Sequence, residues 1–187
     1  MKSLEIFTDG SCLRNPGGAG GYGIVFVYEG KKKEVSGGVE STTSNRMELL
    51  ACIIALECIR EKSRITLYSD SKYVVDSIEK KWAYGWRKNN WKKKDRKKAK
   101  NVDLWERLLL AIEKHEVKML WIKSHNDHVE NEICDQLAYS AANSSNLIKD
   151  TGYVEINDKI FFNSIENKFK QLSGSSRYFD KKLNIYK

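Results

Sequence analysis

The sequence contains few of the residues that build a structural zinc site. Its 187 residues include three histidines and four cysteines, which are Cys12, Cys52, Cys58 and Cys134. No two cysteines form a Cys-x-x-Cys pair and no histidine stands at zinc-finger spacing, so we do not expect structural zinc. A reduced, cytoplasmic protein is the simplest interpretation of this cysteine usage.

Long apolar segments are also missing. No stretch has the length and hydrophobicity of a transmembrane helix, and the N-terminus has no apolar run of signal-peptide length. The Gly-rich loop at residues 10–23 lacks the Gly-x-Gly-x-x-Gly order that opens into a helix, and no Gly-Lys-Ser/Thr occurs. We therefore expect neither a membrane protein nor a nucleotide-binding loop.

Acidic residues are outnumbered by basic ones, with 25 Asp and Glu against 33 Lys and Arg, a net charge of +8. This excess favours a polyanionic partner, although a merely soluble basic protein remains the alternative. Hydrophobic residues make up 41% and charged residues 31% of the chain, which indicates a globular protein. We expect one domain with a substantial core, and a monomer.

The first half of the chain predicts strands that end in acidic residues. Residues 4–9 alternate as a strand that ends at Asp9, and residues 20–28 and 34–39 continue it as an antiparallel meander. Residues 65–70 form another strand, which ends at Asp70 and is followed by a helix, so it should lie parallel to the first. Sites in α/β sheets collect at the carboxyl ends of such strands.

Glu48 stands in the strongest helix pattern of the chain, which opens at residues 42–48 (TTSNRME). Asn45 is the expected N-cap, and Glu48 three residues later completes a capping-box-like pair. In the functional interpretation, Glu48 instead faces the end of the strand that carries Asp9. Asp9 and Asp70 have comparable structural alternatives, a hairpin turn for the first and a helix cap for the second.

A fourth acid lies on a helix in the second half. Residues 131–138 predict a helix on which Asp135 lies between Cys134 and Ala138, so its side chain should point partly inward. A buried carboxylate without a partner is costly, and Asp135 therefore needs one. His125 and His128 lie in the polar loop before this helix. No third nitrogen or sulfur ligand stands near them in the sequence, so we do not expect them to bind zinc.

The four acids Asp9, Glu48, Asp70 and Asp135 together predict a cation site. Ligation by oxygen alone suits magnesium or manganese rather than zinc. Two like charges ~4 Å apart repel by about 4 kcal/mol at an effective dielectric of 20, and divalent ions would relieve this repulsion. Carboxylates beside a basic groove are the arrangement used in two-metal phosphodiester chemistry.

Residues 80–100 form a basic, aromatic segment that we call the basic handle, in which Asp95 is the single acid. Trp82 and Trp86 are four residues apart and so share one face of a helix. Lys and Arg neutralise phosphates and indole rings pack on sugars or bases, which favours a nucleic-acid surface. The alternative is a solvated charged face with tryptophans packed beneath it. The cations of the predicted contact are Arg87, Lys88, Lys92, Lys93 and Lys94.

Six segments stand along the chain in a specific order and spacing. They are 6–12 (IFTDGSC), 43–49 (TSNRMEL), 69–71 (SDS), 102–105 (VDLW), 125–138 and 150–153 (DTGY). Together they resemble the type 1 ribonucleases H, endonucleases that cut RNA paired to DNA. The resemblance implies a ribonuclease H-like α/β fold, with a mixed five-stranded sheet, its first three strands antiparallel, and helices on both faces. It also implies a catalytic domain at residues 1–153, followed by an extension of unknown role at 154–187.

The resemblance assigns roles to the acids. Asp9 would bridge two Mg²⁺ ions, with Mn²⁺ as a possible substitute, and Asp135 would complete the ion that activates the attacking water. Glu48 and Asp70 would complete the ion that steadies the leaving 3′ oxygen. His125 would carry a proton and help to release the product. The implied products carry 5′-phosphate and 3′-hydroxyl ends.

The resemblance also assigns contacts to an RNA–DNA hybrid. Glu48 and four further residues match positions that touch RNA 2′-hydroxyls, which is how RNA is told from DNA; the four are Cys12, Asn15, Ser44 and Asn45. The DNA-strand channel and phosphate pocket match Trp82, Trp86, Thr43 and Asn101. Ser41 stands where a basic residue often completes that pocket, Ser44 replaces an amide, and Lys72 is unexpected.

Two other functions compete with a hybrid-specific endonuclease. A non-cleaving binding module on the same fold would have no need of clustered carboxylates. A related metal nuclease or strand-transfer enzyme would have no need of the predicted RNA contacts and the basic handle. Both are therefore less well supported by the residues.

Overall fold

The computed structural model describes residues 1–124 and 128–153. The strands are β1 (Ser3–Cys12), β2 (Gly20–Tyr28), β3 (Lys31–Val39), β4 (Arg64–Ser69), β5 (Glu116–Trp121) and β6 (Leu147–Ile148). The helices are α1 (Ser44–Glu57), α2 (Lys72–Glu79), α3 (Trp82–Lys88), α4 (Val102–Ile112) and α5 (Val129–Ala142). Met1–Gly152 form one compact unit. The predicted extension at 154–187 lies outside the described residues, so the division of the chain at residue 153 stays a prediction.

The strands form one mixed sheet in the order β5-β4-β1-β2-β3-β6. β1, β2 and β3 are joined by short links and pair antiparallel, as the alternating pattern predicts. β4 lies parallel to β1, and β5 lies parallel to β4. The helices α2, α3 and α4 lie between β4 and β5 and return the chain to the end of the sheet where β4 begins, as a connection between parallel strands requires.

The sheet has six strands instead of the predicted five. The additional strand β6 pairs parallel with the end of β3, through Gly38 with Leu147 and Val39 with Ile148. Two residues are too few to give an alternating pattern, so the sequence carries no readable signal for this strand. The five longer strands and the mixed topology agree with the prediction.

Helices cover both faces of the sheet. Ile6 on β1 belongs to the large core that packs under α1, α2, α3 and α4, with Trp105 and Leu108 of α4 completely buried. Phe7, the next residue, points to the other face and packs with Val25 and with Cys134 of α5. Because side chains alternate along a strand, both faces of β1 are apolar.

The beginning of α1 corrects one prediction. Its N-cap is Thr43 rather than Asn45, and the Thr43 side chain accepts a hydrogen bond from the Arg46 main-chain N–H at 3.4 Å. Both Ser44 and Asn45 are already helical. The capping-box role considered for Glu48 therefore falls away, because Glu48 stands five residues after the cap and not three.

No helix within 1–124 and 128–153 has the length and apolar character needed to cross a membrane.

Candidate active site

The carboxylates of Asp9, Glu48 and Asp70 meet where two parallel strands end. Thr8 on β1 pairs with Ser69 on β4, so the next residues, Asp9 and Asp70, lie side by side. One oxygen from each of the three carboxylates lies within 4.8 Å of the others. The register of β1 with β4 therefore determines the distance between two of these acids.

Glu48 reaches this cluster because Gly10 lets α1 approach β1 closely. A Cβ atom at residue 10 would collide with the backbone of Met47 and of Glu48. Only glycine permits such an approach of two main chains. The first turns of α1 consequently lie directly over the residue that follows Asp9.

Burial and mutual repulsion make this cluster electrostatically unfavourable. Burial, and then the charge of Asp70, raise the pKa of Asp9 to about 7, with a smaller contribution from Asp135, although the Gly10 N–H donates to Asp9 at 2.6 Å. Burial, and then the charges of Asp9 and Asp70, raise the pKa of Glu48 well above its usual range. A positive charge at the centre would reverse both effects.

The donor set fits a hard divalent cation. All the atoms that converge are carboxylate oxygens, the ligands that Mg²⁺ and Mn²⁺ prefer. The Glu48 Oε2 atom is shielded from solvent and has no hydrogen-bond partner among the described residues. A buried oxygen of this kind calls for a ligand, and a cation would supply one.

Asp135 lies on α5, on the other face of the sheet. It is half-buried, and its charge contributes to the raised pKa of Asp9. It is not one of the three acids whose oxygens converge within 4.8 Å. The neighbouring Cys134 is fully buried and donates from its thiol to the Phe7 carbonyl at 3.2 Å, which ties this turn of α5 to β1.

Beside the cluster, Arg46 forms a buried ion-pair network that the sequence analysis gave no role. The guanidinium is 2% exposed and donates to Asp103 at 2.6 and 3.0 Å and to Asp150 at 2.6 and 2.7 Å. Burial alone would lower the pKa of Arg46, but the hydrogen bonds to Asp103 and Asp150 outweigh it, so the pKa is raised. Thr42 also donates to Asp150 at 2.7 Å. The network joins α1, the start of α4 and the segment after β6.

Of the four residues predicted to contact RNA, Cys12 ends β1, Asn15 lies in the loop between β1 and β2, and Ser44 and Asn45 begin α1. The Asn15 Oδ1 atom accepts a hydrogen bond from the Ser44 main-chain N–H at 3.3 Å, so the two segments touch. Asn15 and Asn45 are exposed, and Cys12 is half-buried. The Cys12 thiol lies 3.7 Å from the Thr42 carbonyl.

The residues predicted to contact the DNA strand differ in exposure. Trp82 is 42% exposed, whereas Trp86 is stacked on Tyr73 at 6.4 Å and meets the edge of Trp105 at 5.7 Å. Trp86 is therefore partly a core residue. Thr43 caps α1, and the Asn101 side chain accepts from Arg46 at 3.5 Å.

The basic handle, residues 80–100, contains α3 and the loop that follows it. Lys88, Lys92 and Lys94 are exposed, and the Lys93 ammonium lies 5.2 Å from the centre of the Trp86 ring. Arg87 is different, because it pairs with Glu106 on α4 at 3.5 Å and with Glu113, the residue just after α4, at 2.9 Å. Its guanidinium thus joins the handle to the core, and a phosphate contact would have to compete with two carboxylates.

His125 lies outside the described residues, so its predicted role in proton transfer stays a prediction.

Comparisons with known proteins agree with this arrangement. The family model for RNase H matches residues 1–143. This chain belongs to the RNase H family. A ribonuclease H from Desulforamulus reducens is 53% identical over 147 residues, which cover 79% of this chain and 92% of that protein.

Solved structures show the same RNase H fold. LC9-RNase H1, a type 1 RNase H with the type 2 active-site motif, is 30% identical, with a TM-score of 0.69 over 76% of this chain and 72% of that one. A foamy viral protease-reverse transcriptase, solved in complex with RNA/DNA hybrid, is 19% identical, with a TM-score of 0.67. That match covers 76% of this chain and 20% of the viral one, and it bears on the fold alone.

Two residues around the RNase H site have no counterpart in the sequence-based predictions. Ser124 donates from its hydroxyl to the Asp70 Oδ2 atom at 2.5 Å, and the Trp121 indole N–H donates to the Asp70 carbonyl at 2.9 Å. Neither contact has a sequence signal, because each depends on where the end of β5 lies beside β4. By contrast, Arg46 lies inside the TSNRMEL segment, at the start of a helix that the sequence predicts. An arginine at that place in a helix could have prompted a search for acidic partners.

Proposed function

We propose that this member of the RNase H family hydrolyses the RNA strand of RNA–DNA hybrids and leaves 5′-phosphate and 3′-hydroxyl ends. The observation that carries the proposal is the convergence of Asp9, Glu48 and Asp70 within 4.8 Å at the carboxyl ends of β1 and β4. The name ribonuclease H on a relative that is 53% identical supports the same activity.

Two Mg²⁺ ions, or Mn²⁺ in their place, are the proposed cofactors. Asp9, Glu48, Asp70 and Asp135 would hold these ions. When bound, such ions lower the pKa of water and stabilise charge on the leaving oxygen. The pKa of Asp9, raised to about 7 without a cation, supports the idea that this cluster binds positive charge.

The surrounding side chains would select the substrate. Asn15 and Asn45 are exposed, and Asn45 lies in the first turn of the helix that carries Glu48, so their amide groups can meet 2′-hydroxyls in the minor groove. Cys12 and Ser44 complete this RNA contact. Trp82, Trp86, Thr43 and Asn101 would hold the DNA strand, and the exposed lysines of the basic handle would bind its phosphates.

His125 would then act on the bound substrate as a proton carrier during product release. We also propose that the enzyme is cytoplasmic, as its cysteine usage indicates, and that it acts as a monomer.

Cleavage assays on four matched substrates test the proposal. An RNA–DNA hybrid, an RNA duplex, a DNA duplex and single-stranded RNA of one sequence, each labelled, are incubated with the protein in Mg²⁺ or in EDTA. Cleavage should be confined to the RNA strand of the hybrid and should require the metal ion. Comparable cutting of the RNA duplex would show that the DNA-strand contacts are assigned wrongly. Asp9→Asn protein, purified in the same way, controls for contaminating nucleases.

A further inference from the structure

Asp70 is less enclosed by the fold than the other two acids of the cluster. Asp9 is 7% exposed and accepts a main-chain hydrogen bond, and the Glu48 Oε2 atom is shielded from solvent. Asp70 is only half-buried and stands at the end of β4, where packing restrains its side chain less. Its orientation therefore depends on other contacts.

Those contacts come from the end of β5 and the residues just after it. Ser69 pairs with Trp121, and the Ile122 main-chain N–H donates to the Ser69 carbonyl at 3.1 Å, so the chain after β5 runs alongside Asp70. The Ser124 hydroxyl donates to Asp70 Oδ2 at 2.5 Å. A hydrogen bond from a hydroxyl to a carboxylate is a charge-assisted bond and is stronger than one between neutral groups.

The main chain of Asp70 is held from the same side. The Trp121 indole N–H donates to the Asp70 carbonyl at 2.9 Å, and the Lys72 ammonium lies 5.5 Å from the centre of the Trp121 ring. The indole is 47% exposed, so apolar packing alone does not fix its position. Both the backbone and the carboxylate of Asp70 are thus fixed by residues that are not ligands.

We propose that Ser124 is a positioning residue, whose hydroxyl fixes the rotation of the Asp70 carboxylate and so raises the affinity of the acid cluster for a divalent cation. The inference rests on the proposed function, because it concerns the same cluster. One oxygen of Asp70 is engaged by Ser124, which leaves the other to bind the ion. A ligand already held in one rotamer loses less conformational entropy on binding than a freely rotating one.

Three variants separate this role from a surface hydrogen bond without effect. Ser124→Ala removes the hydroxyl, Ser124→Thr keeps it, and Ser145→Ala makes the same chemical change at an exposed serine after α5. Because Ser124 and Ser145 are both exposed, none of the three substitutions should alter the melting temperature measured in EDTA.

The direct readout is cation binding without nucleic acid. Titration of the full-length protein with Mn²⁺, followed by the electron paramagnetic resonance signal of the free ion, gives a dissociation constant for each variant. Ser124→Ala should weaken binding by about three- to tenfold, the range expected from ordering one side chain. Ser124→Thr and Ser145→Ala should stay near the wild-type value. The Mg²⁺ concentration for half-maximal cleavage should rise by the same factor in Ser124→Ala, while kcat recovers at saturating Mg²⁺.

A change in Mn²⁺ affinity below threefold in Ser124→Ala would overturn the inference, and so would an equal loss in Ser124→Thr. Failure of the proposed function gives a different result. In that case the wild-type protein would not bind Mn²⁺ in the titration or would not cleave the hybrid, whatever residue stands at position 124.

Discussion

The guanidinium of Arg46 lies 2.6 Å from the carboxylate of Asp150, which stands 104 residues further along the chain. The same guanidinium binds Asp103 at the start of α4, and it is 2% exposed. A buried charge with two partners is tolerated only while both partners remain. The start of α1, which carries Glu48, is thereby fixed to two distant parts of the chain.

Removal of the Arg46 charge should therefore destabilise the fold strongly. Arg46→Met leaves Asp103 and Asp150 without their shared partner, and we expect the free energy of unfolding to fall by about 3–5 kcal/mol. Urea denaturation in EDTA measures this change in the free energy of unfolding. Arg64→Met is the matched control, because Arg64 pairs with Glu116 at 3.4 Å on the surface, and its loss should cost about 0–1 kcal/mol. Equal effects of the two substitutions would contradict the structural role of the network.

Asp9→Asn should abolish cleavage and leave hybrid binding intact or tighter. The substitution keeps the shape of the side chain but removes a charge that the proposed ions require and that repels Asp70. Single-turnover cleavage and filter binding of a labelled hybrid separate the two effects. A cleavage rate within about tenfold of wild type would remove Asp9 from the reaction, since a direct metal ligand contributes far more.

The stability of the metal-free protein should depend on the protonation of Asp9. Its pKa is raised from an ordinary value of 3.8 to about 7, so the folded state holds this proton more tightly than the unfolded chain. By linkage, the stabilisation is present at low pH, and the free energy of unfolding falls as the pH rises from about 4 to about 7. Urea denaturation in EDTA across this range should show the fall in wild type and a weaker one in Asp9→Asn. Identical pH profiles for wild type and Asp9→Asn would contradict the role of Asp9 in this pH dependence. Saturating Mg²⁺ should flatten the wild-type profile.

The basic handle should govern affinity rather than turnover. Replacing Lys92, Lys93 and Lys94 by alanine should raise KM and reduce the salt slope by about 0.7–0.9 for each phosphate that the variant no longer neutralises. Because an equal weakening of ground-state and transition-state binding leaves kcat unchanged, turnover should hardly move. The matched control replaces Lys31, Lys62 and Lys114 by alanine. These lysines are exposed outside the handle, and their replacement removes the same amount of charge. A triple handle variant with normal KM and reduced kcat would show that the handle is structural or catalytic.

The two tryptophans of α3 should respond differently to alanine. Trp86 packs on Tyr73 and Trp105, so Trp86→Ala should cost up to about 3 kcal/mol of stability and should also weaken hybrid binding. Trp82 is 42% exposed, and Trp82→Ala should change the free energy of unfolding by less than about 0.5 kcal/mol. Its KM should still rise, because stacking on a nucleic acid contributes about 1–3 kcal/mol. An unchanged KM in Trp82→Ala would remove this residue from the substrate channel.

Features with a local pattern could be predicted from the sequence. The alternation in β1 and β2, and the strand–helix order around Asp70, predict the antiparallel meander and the parallel β4 that the structure contains. The convergence of Asp9 with Asp70 follows from the same logic, because neighbouring parallel strands end together. The pattern also predicts the helix that carries Glu48, although its N-cap is two residues earlier than expected.

Features that depend on distant contacts could not be predicted. The pairing of Arg87 with Glu106 and Glu113 requires α4 to lie beside the basic handle, which no local pattern encodes. The hydrogen bond from Ser124 to Asp70 depends in the same way on the path of the chain after β5. Charge runs and exposed serines look alike in a sequence whether or not they have partners.

The position of Asp135 depends on the lack of a Cβ atom at Gly23. Gly23 is the direct partner of Asp9 across the β1–β2 ladder, and a Cβ atom there would collide with the carbonyl of Cys134. The next residue of that helix is Asp135. The thickness of one methyl group at residue 23 would thus separate the fourth acid from the other three, so the reach of α5 toward the cluster is determined from within the sheet.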